Sequence, residues 1–186
     1  MAQEFYESTV NVDMTEHYQD FLRLIPEGGK ILDAGCGSGR DSLYFLDHGY
    51  RVTAIDASPA LAQLSSKLIG QPVTVLHFQD LEFVEEFDGI WACASLLHIR
   101  RSQIHDVLYR LTRALKPDGA LYASFKYGEG EGERKGRFFS NYDERSFQAL
   151  LDKHPTLQLV STWVSSDIRP DRAGEKWLNV VMRKVK

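Results

Sequence analysis

Apolar positions recur along the chain with two periods, and the alternation between them marks out the elements. Met14, Tyr18, Phe21, Leu22 and Ile25 share one face at helical spacing. They predict a helix opening near Asp13, where Asp13 and Glu16 stand at capping-box distance. Pro26 and the pair Gly28-Gly29 stop it. Runs of strand length follow at 30–34, 50–55, 73–77, 89–94 and 120–125. Helical segments separate most of them. One covers 41–48 and is closed by Gly49. A second starts at Ser58-Pro59, turns Leu61, Leu64 and Leu68 inward and ends at Gly70. A third, capped by Ser102, carries Ile104, Leu108, Leu111 and Leu115 to the turn KPDG at 116–119. Phe147, Leu150 and Leu151 mark a further helix, and 157–164 and 177–182 two last strands.

Strands alternating with helices predict a mostly parallel sheet covered on both faces. The last two strands break the pattern. Twelve residues, SSDIRPDRAGEK, join them without helical periodicity. That is short for a parallel crossover, so the final strand is expected to run antiparallel to its predecessor. The expectation is a three-layer α/β fold with one reversed strand. At 186 residues it fills a single domain, 1–186, with residues 1–27 as an N-terminal helical cap.

Such sheets bind ligands at the carboxyl ends of their strands, where strand order reverses. The turn after the first strand reads ILDAGCGSGRDS, with Gly35, Gly37 and Gly39 at alternate positions. Glycine lets backbone approach a ligand closely, and the following helix aims its N-terminal amides there. Asp56 ends the second strand, 17 residues after Gly39, where an acid would take ribose hydroxyls. A dinucleotide fingerprint needs a third glycine at position 40, which is Arg40. Asp33 beside the loop would repel a pyrophosphate and attract an ammonium. A ligand with an amino acid at one end and adenosine at the other satisfies both: its ammonium at Asp33, its ribose at Asp56, its carboxylate at the loop amides and Arg40. That ligand is S-adenosylmethionine. Arg40 has a plainer reading, as the ion-pair partner of Asp41 or Asp47.

The stretches DAGCGSGR (33–40), Asp56, QDL (79–81), DGIWACASLLH (88–98) and LKPDGAL (115–121) resemble, in order, a class I S-adenosylmethionine-dependent methyltransferase. The loop and helix are similar to those of tellurite-resistance-type and other small-molecule members. The resemblance implies a Rossmann-like methyltransferase fold: a seven-stranded sheet whose last strand is reversed and inserted between the fifth and sixth. It implies S-adenosyl-L-methionine as cofactor, with Ala57 beside Asp56, Asp80 on the adenine amine, the Leu81 amide facing the ring, and Ala94 and Ser95 at the methionine end. The family's N-terminal helix would bring Tyr6 or Tyr18 near. The N-x-P-P-F/Y tetrapeptide of members that methylate nucleobase or amide nitrogens is absent, with ASLLH in its place.

Methyl transfer from a sulfonium needs alignment more than a dedicated catalytic group, so the sequence is not expected to display a universal catalytic residue. His98 is the positional candidate for a base, against a plain packing role. With Arg101, Lys126 and Arg137 it forms the expected substrate pocket. Arg100, Arg101, Arg134, Arg137, Arg169 and Arg172 lie on the three loops that would bound an acceptor, which hints at an anionic one. Glu129, Glu131, Glu133, Asp167, Asp171 and Glu175 interleave with them, so ion pairing explains the charges equally. The glycine-rich stretch YGEGEGERKGRFFS (127–140) is expected to be a mobile loop.

Composition narrows the partners. With 22 basic against 26 acidic residues, net −4, a general nucleic-acid binder is not expected. No apolar stretch nears the ~18 residues a membrane span needs, and no signal sequence shows at the N-terminus. Cys36 and Cys93 read as free thiols, Cys36 as a small filler, and no clustered metal ligands appear. The expectation is a cytoplasmic methyltransferase for a small acceptor, its oligomeric state open. The alternatives are an RNA- or protein-directed methyltransferase, or a non-catalytic binder of the same cofactor.

Overall fold

A computed structural model describes residues 2–185 apart from Lys135, Pro170, Asp171 and Ala173. The expected charge at Asp171 therefore lies outside the described residues. Two helices come first, α1 (Ala2–Thr9) and α2 (Thr15–Leu22). Only the second shows in the apolar stripe. Its start is tied by Asp13, whose carboxylate accepts from the Thr15 amide and hydroxyl at 2.9 and 2.6 Å.

β1 (Lys30–Ala34), α3 (Arg40–Asp47), β2 (Arg51–Asp56), α4 (Pro59–Ile69), β3 (Val73–Val75), β4 (Phe87–Ala92), α5 (Ile104–Ala114) and β5 (Leu115–Lys126) follow in alternation. A small hairpin, β6 (Glu131–Arg134) and β7 (Arg137–Ser140), precedes α6 (Glu144–Leu151), β8 (Leu157–Ser166) and β9 (Lys176–Lys184). The main sheet runs β3-β2-β1-β4-β5-β9-β8. β1, β2, β3, β4 and β5 pair in parallel, and β9 is antiparallel to both β5 and β8. The reversed last strand, inserted before its predecessor, is thus present.

Several expectations shift. β4 ends at Ala92 rather than 94, because Ala94 turns to φ 49° and leaves the sheet. α5 begins beyond Ser102 and has no side-chain cap. Leu115 belongs to β5: KPDG is absorbed as an irregularity between the pairs Phe87–Leu115 and Gly89–Ala120, with Asp118 at φ 65°. α4 buries Ala62, Ser65 and Ile69, while Leu61, Leu64 and Leu68 are half-buried. The small Ala62 and Ser65 let α4 press on the glycine loop; a Cβ at Gly39 would stand 3.1 Å from that of Ser65. The stretch expected to be a loose loop is the β6–β7 hairpin. Ser140 hydroxyl donates to the Ile99 carbonyl at 2.8 Å, and the Arg101 amide donates to Glu131 at 2.9 Å. These anchors, distant in sequence, fold it onto the segment after β4.

On one face of the sheet α2 and α3 cover an aromatic cluster of Tyr18, Phe21, Phe45, Trp91 and Tyr122, with Trp91 and Tyr122 stacked at 3.7 Å. On the other, α5 and α6 bury Val107, Leu111, Phe147 and Leu150 against β4, β5 and β9. At about 25 cal/mol per Å² of apolar surface removed from water, these layers make the main stabilising contribution. The cleft lies at their shared upper edge.

Candidate functional site

A cleft of about 900 Å³ opens at the carboxyl ends of the parallel strands, near the upper end of the roughly 300–1,000 Å³ usual for ligand sites. The loop after β1 and the ends of β2 and β4 line one half. Lys126, the hairpin and the β8–β9 connection line the other, and Phe5, Thr9 and His17 from the two N-terminal helices reach over it.

The glycine loop is held from within the protein. The Gly35 and Cys36 amides both donate to the Ile55 carbonyl at 2.9 Å, and Gly37 donates to Asp56 at 2.9 Å. The second Asp56 oxygen accepts from the Ser58 amide at 2.8 Å. Burial raises the pKa of this carboxyl; the two amides and Arg137 oppose that without cancelling it. Gly35 has φ 84°, and a Cβ there would lie 2.5 Å from the Ser95 Cβ. Ser95 in turn donates its hydroxyl to the Ala34 carbonyl at 2.7 Å, closing β4 onto β1. Only glycine fits this crossing.

Gly35, Gly37, Arg40, Asp56, Ala57, Ala94, Ser95, His98, Lys126 and Arg137 all line the cleft, so most of the expected residues converge. Asp33, Gly39, Asp80, Leu81 and Arg101 are not among its lining residues. Asp33 is 1% exposed and accepts the Ser42 hydroxyl at 2.6 Å; burial and the nearby Asp41 raise its pKa. Leu81 is buried in the core, and exposed Asp80 stands outside while its neighbours Phe78 and Gln79 face in. Arg101 stacks 4.9 Å over Tyr142 and donates to the Asn141 carbonyl at 2.8 Å, so it secures the hairpin's base. Tyr6 and Tyr18 do not reach the cleft either.

Arg40 both lines the cleft and pairs with Asp41. It grips Asp41 through Nε and a terminal nitrogen at 2.6 and 2.9 Å. Asp41 also accepts from the Tyr18 hydroxyl at 2.6 Å and the Trp91 indole at 2.8 Å. Burial would raise this carboxyl, but the charge and bonds of Arg40 hold it below the usual range. The sequence marked Asp41 only as a neighbour of Arg40. Its central place and the reach of His17 and Phe5 carry no local signal.

Burial pushes the Cys93 thiol up to about 12 and raises Cys36 as well, so both remain protonated and free. Lys126 pairs with Asp167 and Glu175 and stacks 3.9 Å over Trp177. Arg100 pairs with Glu133, Arg169 with Asp167 and Arg172 with Glu175, which accounts for part of the interleaved charge. His98 sets Nδ1 at 2.7 Å from the Phe138 carbonyl and Nε2 at 2.7 Å from Arg137. Burial, and secondarily Arg137, lower its pKa, and the imidazole is neutral near pH 7. Among the described residues no group of three or more potential ligands could hold a metal, and no helix is long and apolar enough to cross a membrane.

Residues 31–119 match the methyltransferase domain family. The sheet order and the glycine loop are likewise those of the class I S-adenosylmethionine-dependent methyltransferase fold, to which the chain is similar. The particular proteins it resembles differ in chemistry. The structure of 1,6-didemethyltoxoflavin-N1-methyltransferase from Burkholderia thailandensis, with bound 1,6-didemethyltoxoflavin and S-adenosylhomocysteine, superposes with a TM-score of 0.80 at 26% identity, over 99% of this chain and 83% of that one. The cypemycin N-terminal methyltransferase of a Streptomyces species is 29% identical over 84% of this chain and 60% of its own. The S-adenosyl-L-methionine-dependent Diels-Alderase iccD of Talaromyces variabilis is 32% identical over 84% of this chain and 62% of its own. The chain thus spans less than two thirds of these two curated relatives.

Proposed function

We propose that the protein is an S-adenosylmethionine-dependent methyltransferase acting on a small-molecule acceptor. The observation that carries the reading is the continuity of the cleft. The glycine loop and Asp56 at one end, and His98, Lys126 and Arg137 at the other, line a single space roofed by α1, α2 and the hairpin. The roof suits a compact acceptor better than a polymer.

The residues present fit the cofactor. Asp56, held by two amides, has remaining lone pairs for the ribose hydroxyls. Ala57, Phe78 and Gln79 would border the adenine, and Arg40 and Ser95 the methionine end. Asp33, Gly39 and Leu81 would support the loop and the adenine side from behind, with Asp80 at the rim. When bound, the cofactor supplies a sulfonium methyl that an acceptor attacks in line, leaving a thioether. The chain's own residues do the rest. The β4 and β5 ends fix the acceptor's approach, while Phe5, Thr9 and His17 exclude water. His98, neutral and at the acceptor end, would take a proton where the acceptor carries one.

Calorimetry with S-adenosylmethionine, S-adenosylhomocysteine and NAD tests the first step, and a product-coupled assay over phenols, thiols, amines, carboxylates and tRNA tests the second. Binding of NAD but of neither adenosyl compound overturns the reading. The likeness to a Diels-Alderase favours one rival, a cofactor-binding protein that transfers no methyl. Tight adenosyl binding without turnover on any acceptor would support it.

A further inference from the structure

The hydrogen bonds on His98 fix its protonation pattern. The Phe138 carbonyl can only accept, so Nδ1 carries the proton; the Arg137 guanidinium can only donate, so Nε2 presents its lone pair to Arg137 at 2.7 Å. The nitrogen able to act as a base is therefore the one Arg137 covers.

Arg137 is poorly matched to that partner. Among the described residues it makes no ion pair; its other contacts are the faces of Phe5 and Phe139, at 5.7 and 5.9 Å. Partial burial lowers its pKa, as do Arg172 and Arg169, and Asp56 alone offsets this from across the cleft. A guanidinium here binds a carboxylate or phosphate through two charge-assisted bonds, roughly twice as strong as neutral ones. A neutral imidazole offers one lone pair. An anion arriving at this mouth would draw Arg137 off His98.

We propose that Arg137 masks the Nε2 lone pair of His98, and that an acceptor carrying a carboxylate or phosphate next to its nucleophilic atom unmasks it by taking the guanidinium. This rests on the methyltransferase reading and names its substrate class. With Nε2 exposed, the proton of the acceptor's O–H, N–H or S–H passes to it. The electron pair of the acceptor atom forms the bond to carbon, and the pair of the broken carbon–sulfur bond stays on sulfur. Positive charge moves from sulfonium to imidazolium, whose Nδ1–H stays on Phe138 until Nε2 releases its proton to water. Neutral analogues leave the base covered, so selection for the anion acts on turnover as well as on binding.

The charged groups nearby are few. On its own segment His98 has Arg100, which stacks 4.1 Å over Phe138 and pairs with Glu133, and Arg101, which stacks 4.9 Å over Tyr142; the hairpin adds Arg137 and Glu131; Asp56, Arg169 and Arg172 face Arg137. The test is ¹⁵N NMR of histidine-labelled protein, with the His98 signal assigned by His98→Gln and inorganic phosphate as the anion probe. Phosphate should raise the His98 pKa by about one unit, a tenfold change in proton affinity. In Arg137→Gln the pKa should start higher and ignore phosphate; Arg137→Lys, with its charge but no fork, should respond weakly. A wild-type His98 indifferent to phosphate, or an equal response in Arg137→Gln, overturns the proposal. S-adenosylhomocysteine calorimetry on the wild type separates the two failures, since loss of that binding sinks the methyltransferase reading and leaves the Arg137–His98 exchange to the NMR result.

Discussion

Replacing Asp41 by alanine removes four hydrogen bonds at once: two from Arg40, one from the Tyr18 hydroxyl and one from the Trp91 indole. Asp41 is 5% exposed, and the side chain of Arg40 18%. Stranding one member of a buried ion pair costs about 3–5 kcal/mol, and an indole N–H left without an acceptor about 1–3. Cavity water would recover part of this, so a loss of about 4–5 kcal/mol is expected. With a urea m-value of about 2–3 kcal/mol/M for a chain of this size, the midpoint should fall by about 2 M at unchanged slope. Asp41→Asn, which keeps one carbonyl acceptor, should lose about half as much. The double variant Arg40→Met/Asp41→Leu removes the stranded cation and should recover most of its share. The native Asp41 pKa lies below its unfolded value, so its contribution is fully present above about pH 4 and fades as pH falls through the native value. A loss under about 1.5 kcal/mol for Asp41→Ala, or a loss independent of pH between 7 and 3, refutes the hub.

Three shorter predictions concern the same edge of the sheet. Asp33 has a raised native pKa, so the folded state holds a proton that the unfolded state releases, and Asp33 costs stability increasingly as pH climbs from about 4 toward that value. In thermal scans Asp33→Asn should melt above the wild type at pH 8 and level with it at pH 3; a parallel offset at both would contradict the assignment. Asp56→Ala should weaken S-adenosylhomocysteine binding by about 10- to 100-fold, the worth of one hydrogen bond to a charged group, in calorimetry at fixed salt. Gly35→Ala, with φ 84° and Ser95 2.5 Å from the added Cβ, should cost about 2–4 kcal/mol in urea titration, and an unaltered midpoint would show that the loop yields freely.

The parts of the fold that could be read from residues alone are those whose constraints are local. The glycines at 35, 37 and 39 must take positive φ within one turn, and Asp56 ends the strand paired in register beside it. The reversal of β9 follows from the length of one connection. The Asp41 network could not be read this way. Tyr18 and Trp91 lie 23 and 50 positions away, and nothing near 41 indicates that they converge there. The β6–β7 hairpin was obscured by its own composition: glycine signals backbone freedom, while the restraint comes from Ile99 and Arg101, some 30 to 40 residues earlier. Within the expected helical cap α1 does not stand out as a helix of its own, because AQEFYEST holds only two large apolar side chains, Phe5 and Tyr6; its place depends on Phe5 over the glycine loop and the Thr9 carbonyl near Arg40.

This division between local and distant constraint follows the division of the site. The stretch that matches the family, 31–119, contains the loop, Arg40, Asp56 and His98. The roof and far wall come from outside it: α1 and α2, the hairpin with Arg137, and the β8–β9 connection with Arg169 and Arg172. A cofactor of fixed shape keeps its constraints within a few turns of chain. An acceptor is selected by side chains that segments far apart in sequence bring to one mouth. Arg137 is positioned by a hairpin anchored through Ser140 at Ile99, Phe138 at His98, and Glu131 at the Arg101 amide. Acceptor choice should therefore respond to changes in hairpin anchoring that leave cofactor affinity alone. Ser140→Ala, a change outside the cleft lining that frees the Ile99 carbonyl at the acceptor end, should loosen Arg137 from His98 and raise the His98 pKa while S-adenosylhomocysteine binds as before. Equal weakening of both would mean that the two halves of the cleft form one cooperative unit.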